Sequence, residues 1–191
     1  LRVGVLGLQG AVSEHEEVIA CLGHSPVTVT KPEHLLGVRA LILPGGESTT
    51  MSRLLGVTGL FSEVKKQAKD GLPMYGTCAG MVLLAKKGDE QVKKTGQKML
   101  GLMDMRVVRN AFGRQRQSFE AALKIKPLGD GAFHGVFIRA PAVKETWGGC
   151  RPIAKLNGFT VAAEQGNLLA TSFHPELSYD TRLHQYFLEK I

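Results

Sequence analysis

A chain of 191 residues, 43% hydrophobic and 21% charged, has the size and balance of one compact domain spanning 1–191. No apolar run approaches the length that crosses a bilayer, and Leu1 to Leu8 reads as a buried strand rather than a secretory signal. A net charge of +7 invites nucleic acid, but the pairs Lys65-Lys66, Lys86-Lys87 and Lys93-Lys94 are dispersed and lack interleaved aromatics, so they read as solvated surface.

Val3-Gly4-Val5-Leu6-Gly7-Leu8 has the profile of a central parallel strand, closed by Gln9-Gly10. Ser13 and Glu16 have capping-box spacing, so a helix is expected to run to about Leu22 and stop at Gly23. Pro26 to Thr30 alternates as a second strand, and Ala40-Leu41-Ile42-Leu43 forms a third that breaks off at Pro44-Gly45-Gly46-Glu47-Ser48. Helical patterns follow at Thr49–Leu55 and Leu60–Lys69, then a strand from Pro73 to Gly76 and another helix from Gly80. Gly88 to Lys98 is polar and lysine-rich, the composition of an exposed loop.

The second half is richer in short strand-like runs: Met103–Val108, Ala121–Ile125, Gly135–Ile138, Phe159–Ala163 and Leu168–Phe173. A closing helix carries Leu183, Tyr186, Phe187 and Ile191 on one face, with Asp180 as its cap. This rhythm predicts an α/β fold with three layers. A mostly parallel central sheet is flanked by helices and carries an antiparallel extension. Three cysteines (Cys21, Cys78, Cys150), with no metal-site spacing and no targeting segment, point to a reducing cytoplasm and no metal.

Three polar clusters fall at expected strand ends, where open α/β sheets bind ligands. At Gly76-Thr77-Cys78-Ala79-Gly80 a strand, small residues, a thiol and a helix start follow one another, the grammar of a nucleophile elbow. Amides at a helix start favour negative charge and so a thiolate, although a buried structural cysteine is the bland alternative. Gly45-Gly46-Glu47-Ser48 lets the backbone approach a ligand, or is an ordinary turn with Glu47 or Ser48 as cap. It lacks the spacing of a phosphate loop.

The third cluster is Ser172-Phe173-His174-Pro175-Glu176. In extended geometry, which Pro175 enforces on His174, residues two apart point the same way. A lone histidine there is more often a satisfied core residue. With Cys78 after another strand, His174 and Glu176 read as base and orienter of a triad.

The combination of Gly76-Thr77-Cys78-Ala79-Gly80 with His174-Pro175-Glu176 resembles the class I, triad-type glutamine amidotransferases, whose fold is flavodoxin-like. Five motifs narrow the resemblance: Leu6-Gly7-Leu8-Gln9-Gly10, Pro44 to Thr50, Arg109 to Gln115, Phe137-Ile138-Arg139-Ala140-Pro141 and Ser172 to Leu177. Together they look like the glutaminase subunits of pyridoxal 5′-phosphate synthase. No family motif is recognised at Lys86–Lys98 or Thr146–Lys155, and no role carries over to Cys150.

The resemblance implies hydrolysis of L-glutamine to glutamate and ammonia, with Cys78 as nucleophile, His174 as base and Glu176 as its orienter. Backbone amides of Gly46 and Ala79 match the oxyanion hole, and Glu47 and Ser48 lie in the substrate loop. Arg109 would pair with the substrate carboxylate, and Ile138 and Arg139 match further substrate contacts. Gln9, at the first strand's exit, is placed to shape the oxyanion region.

The implied partner is the synthase subunit, a ring-forming (β/α)8 barrel that captures the ammonia in a large hetero-oligomer. The vitamin is that partner's product, so no cofactor is expected here. The competing readings are the glutaminase of imidazole-glycerol phosphate or purine synthesis, and a non-catalytic regulatory subunit on the same scaffold.

Overall fold

Apolar runs bounded by glycine and turn residues become the parallel strands. The computed structural model describes residues 1–113 and 117–191. In chain order the elements are β1 (Arg2–Leu6), α1 (Val12–Cys21), β2 (Ser25–Val29), β3 (Ala40–Leu43), α2 (Ser48–Val57), α3 (Leu60–Lys69), β4 (Met74–Thr77) and α4 (Ala79–Leu84). There follow β5 (Ala85–Gly88), α5 (Glu90–Lys94), β6 (Met103–Val108), β7 (Ser118–Leu123), β8 (Phe133–Ile138), β9 (Ala142–Thr146), β10 (Arg151–Leu156), β11 (Phe159–Gln165), β12 (Leu168–Thr171) and α6 (Arg182–Leu188). Among the described residues, no helix is long and apolar enough to cross a membrane.

The main sheet runs β2-β1-β3-β4-β12-β11-β9-β6-β5, with β10 added on β11. From β2 to β12 every neighbouring pair is parallel, while β11 pairs antiparallel with β12, β9 and β10. The expected mostly parallel sheet with an antiparallel extension is therefore present. β7 and β8 pair only with each other in the structure described, as a small separate antiparallel sheet.

Helices cover both faces of the main sheet. On one face α2, α3 and α4 pack Met51, Leu55, Leu60, Val64, Met81 and Leu84 against Leu6, Leu41, Leu43 and Met74. On the other, α1 and α6 contribute Ile19, Leu183 and Phe187 against Val3, Val5, Ile42 and Tyr75. Alternate side chains of each strand thus enter opposite layers, as period-two geometry requires.

Several local expectations differ from the structure. Ser13 and Glu16 form no capping box: α1 starts at Val12, Ser13 Oγ bonds Glu14, and Glu16 accepts from Thr28 on β2. The stretch from Gly88 to Lys98 is not all loop. It holds the end of β5 and then α5, capped by Asp89 and pinned by buried Val92. Strands β9 and β10 carried no clear signal. Asp180 acts at the start of α6, as expected, accepting from the Arg182 amide at 3.1 Å, although Thr181 occupies the cap position itself.

Candidate active site

Four neighbouring parallel strands, β1, β3, β4 and β12, end on the same edge of the sheet and release Gln9, Gly45-Gly46, Cys78 and His174 into the same region. Parallel strands lie about 4.8 Å apart, so residues distant in sequence meet here. Gln9, Gly46, Cys78 and His174 line a cavity of about 380 Å³ together with Glu47, Ser48, Ala79, Arg109, Ile138 and Arg139. At about 30 Å³ for a liquid water, that is space for roughly a dozen waters and ample room for a free amino acid. The sequence-derived site residues all line this cavity except Glu176, which stands behind His174. Arg114, Gln115 and Arg116, the end of one family motif and a neighbouring arginine, lie outside the described residues.

Cys78 closes the tight connection from β4 to α4 with φ 49° and ψ −103°, a backbone state costing about 1–3 kcal/mol for a non-glycine residue. Its amide donates to the Thr171 carbonyl at 2.8 Å, tying the elbow to β12. The small neighbours follow from contact. A Cβ at Gly80 would strike the Leu43 carbonyl oxygen, and one at Gly76 would lie 2.5 Å from the Gly80 carbonyl. The thiol is 7% exposed and its Sγ lies 3.9 Å from the Ile138 carbonyl oxygen.

His174 leaves β12 through Phe173, with its amide bonded to the Val136 carbonyl of β8 at 2.8 Å. Its Nδ1 lies 2.7 Å from Oε1 of Glu176, so Nδ1 carries the donated proton and Nε2 is left for the Cys78 side. Burial depresses the ring's pKa, but hydrogen bonds and charge from Cys78 and Glu176 outweigh it and drive the value well above the usual imidazole range. The Glu176 side chain has no solvent exposure.

The glycine loop after β3 is held from two sides. Gln9 Oε1 accepts from the Glu47 amide at 2.8 Å and crowds Gly46 so closely that a Cβ there would overlap it. Glu47 is the cap of α2, accepting from the amides of Thr49 at 3.0 Å and Thr50 at 2.7 Å and from the Thr50 hydroxyl at 2.7 Å. Partial burial raises its pKa, but these donors prevail and pull it to about 2. Arg109, after β6, reaches Glu47 with Nη2 at 3.7 Å from Oε1, and its own amide donates to Asp89, the cap of α5, at 3.1 Å. The missed helix α5 thus helps hold a cavity residue.

Among the described residues, the non-glycine positions with positive φ are Cys78, Asn110, Arg139 and Asn157. The first three line the cavity. Asn110, Val82 and Pro141 line it without having been assigned a role from sequence. The other feature missed is His15, buried on α1, whose Nε2 lies 3.4 Å from Oε2 of Glu176. A signal for it existed: Val12, His15 and Ile19 share one helical stripe.

Comparison with known proteins agrees with this arrangement. Residues 5–191 match the model of the SNO glutamine amidotransferase family. Pyridoxal 5′-phosphate synthase subunit PdxT of Methanosarcina mazei is 50% identical over 100% of this chain and 98% of its own length. The subunit of the same name from Geobacillus kaustophilus is 53% identical, over 100% of this chain and 95% of its own. A solved glutamine amidotransferase superposes with TM-score 0.92 and 48% identity, covering 98% of this chain and 97% of that one. The chain is a glutamine amidotransferase, and it belongs to the SNO family of these enzymes.

Proposed function

We propose that this chain is the glutaminase subunit of a pyridoxal 5′-phosphate synthase. It would hydrolyse L-glutamine and hand the ammonia to a synthase subunit, as one domain working in the cytoplasm. The observation that carries the reaction is the convergence of Cys78 and the bonded pair His174–Glu176 at one cavity with room for an amino acid. Identity of about half the residues to proteins named as that subunit supports the pathway.

Cys78 Sγ attacks the side-chain carbonyl carbon of glutamine while its proton rests on His174 Nε2. Hydrogen bonds with Cys78 and Glu176, and then their charge, keep that proton on the ring against the effect of burial. The tetrahedral oxyanion is received by the amides of Gly46 and Ala79. The latter opens α4 and has no acceptor within its own helix. The C–N bond then breaks, His174 returns the proton to the leaving nitrogen, and ammonia departs from a glutamyl thioester. Water, deprotonated by His174, attacks the thioester, releasing glutamate and restoring the Cys78 thiol.

Arg109 and Arg139 supply charge for the substrate carboxylate, and Glu47 and Ser48, with the Ile138 region, bound the rest of the substrate. Pyridoxal 5′-phosphate is made by the partner and takes no part in these steps.

The test is glutamate release by wild type and Cys78→Ala, each with and without the synthase subunit, together with formation of pyridoxal 5′-phosphate by the pair. Loss of release in Cys78→Ala and vitamin formation only with wild type are expected. A substantial residual rate in the variant would refute the nucleophile. Activity with a different synthase, and none with this one, would redirect the pathway.

A further inference from the structure

Behind Glu176, on the side away from the cavity, lie polar groups that the proposed reaction leaves unused. His15 of α1 and His184 of α6 are almost wholly enclosed, at 0% and 1% exposure. The His15 ring meets three partners. Its Nδ1 lies 3.0 Å from Nε2 of His184, and its Nε2 lies 3.2 Å from the Thr77 hydroxyl and 3.4 Å from Glu176 Oε2. Thr77 immediately precedes Cys78, and the other oxygen of Glu176 holds His174. One imidazole therefore bears on both the nucleophile's strand and the orienting carboxylate.

The proton positions can be deduced. Burial, then the neighbouring histidines His184 and His174, holds His15 well below the usual imidazole range, and burial brings His184 to about 4. Both rings are neutral near pH 7, with one N–H each. If His184 Nε2–H donates to His15 Nδ1, then His15 Nε2–H faces Thr77 and Glu176 Oε2. The opposite arrangement would turn a lone pair toward the carboxylate. It would also bury the His184 Nδ1–H, which has no acceptor among the described residues. An orphaned donor and a lone pair against an anion are both costly. Only the first arrangement turns an N–H toward Glu176 Oε2, 3.4 Å away, an oxygen with no hydrogen-bond partner among the described residues. The remaining polar neighbour is Tyr75, edge-on to His184 and 3.3 Å from Thr171 Oγ1 through its hydroxyl.

We propose that His15 is a positioning residue for glutamine hydrolysis, its Nε2–H fixing the inner oxygen of Glu176 and so the setting of His174, with His184 locking the His15 tautomer. This rests on the triad reading given above.

The experiment measures kcat, KM and the pH profile of glutamate release, in complex with the synthase subunit, for His15→Leu, His15→Gln and His184→Phe. Cys78→Ala runs in parallel, and folding is followed by circular dichroism. His15→Leu is expected to lower kcat about tenfold while KM for glutamine stays within about threefold. Its acidic limb should move to higher pH, because a carboxylate that loses a donor keeps its proton longer. His15→Gln, which returns an N–H near the Nε2 site, is expected to restore most of the rate.

His184→Phe keeps an aromatic ring in place and removes the tautomer lock, and it supplies a second, independent variant where His15→Leu does not fold. A smaller upward move of the same limb is expected of it. Folded His15→Leu or His184→Phe with wild-type kcat and limb would overturn the proposal, as would equal losses in His15→Leu and His15→Gln. High residual release in Cys78→Ala would instead remove the triad reading on which it stands.

Discussion

A Cβ added to Gly45 would fall against the imidazole of His174, 2.9 Å from Nδ1 and 3.3 Å from Nε2. The backbone after β3 is thus the wall on which the proposed base rests, with β4 lying between β3 and the base's own strand β12. Gly45 has no positive φ, so alanine suits the local backbone and the cost falls on the ring. In Gly45→Ala, kcat for glutamine hydrolysis is expected to fall about a hundredfold through displacement of His174. Melting temperature should change by only a few degrees. A folded variant with near-wild-type kcat would show that the ring need not sit there.

In the proposed reading Arg109 offers a planar fork to the substrate carboxylate, while Asp89 holds its amide. Arg109→Lys keeps the charge and loses the fork, so KM for glutamine should rise about tenfold with a smaller change in kcat. Steady-state kinetics would separate the two. An unchanged KM would move the carboxylate contact to Arg139.

Glu47 gives a pH prediction with a defined sign. Its folded pKa of about 2 lies below the ordinary 4.5, so the stabilisation it gives is present above pH 4.5 and is lost as pH falls through about 2. Replacing the cap should cost about 1 kcal/mol near neutrality. In urea unfolding, the gap between wild type and Glu47→Ala is expected to narrow steadily below pH 4.5. A constant gap would mean that the ionised carboxylate is not what caps α2.

The thiols should separate under alkylation of the native protein. Cys21 is exposed, whereas Cys150 is buried and its pKa is pushed up to about 11 by burial and by Asp104. Peptide mapping should find Cys21 modified rapidly without loss of activity and Cys150 unmodified until denaturant is added. A glutamine-analogue electrophile should label Cys78 in preference to both.

Which parts were legible follows from how side chains are used. β1, β3, β4 and β12 are buried on both faces, and such strands show themselves as continuous apolar runs. Their ends carry the glycines and polar residues of the site, so its members could be named before they were seen together. α5 escaped because a single residue, Val92, anchors it, and its remaining polar pattern resembles a loop. β10 escaped because it pairs only with β11 in the structure described, with Pro152 inside it, as edge strands tolerate. His15 shares a helical stripe with Val12 and Ile19, which marks it as inward-facing. Its contacts with Glu176 and His184, both far away in sequence, are reported by no local pattern.

The left-handed residues on the cavity rim set two demands against each other. Glycine at Asn110 or Arg139 would relieve about 1–2 kcal/mol of backbone strain, less what the freer unfolded chain takes back. It would also remove a side chain from the cavity wall. Selection of variants for heat resistance should therefore enrich glycine at these positions, and selection for turnover should purge it. That opposition would trace the working edge of the enzyme without any knowledge of its chemistry.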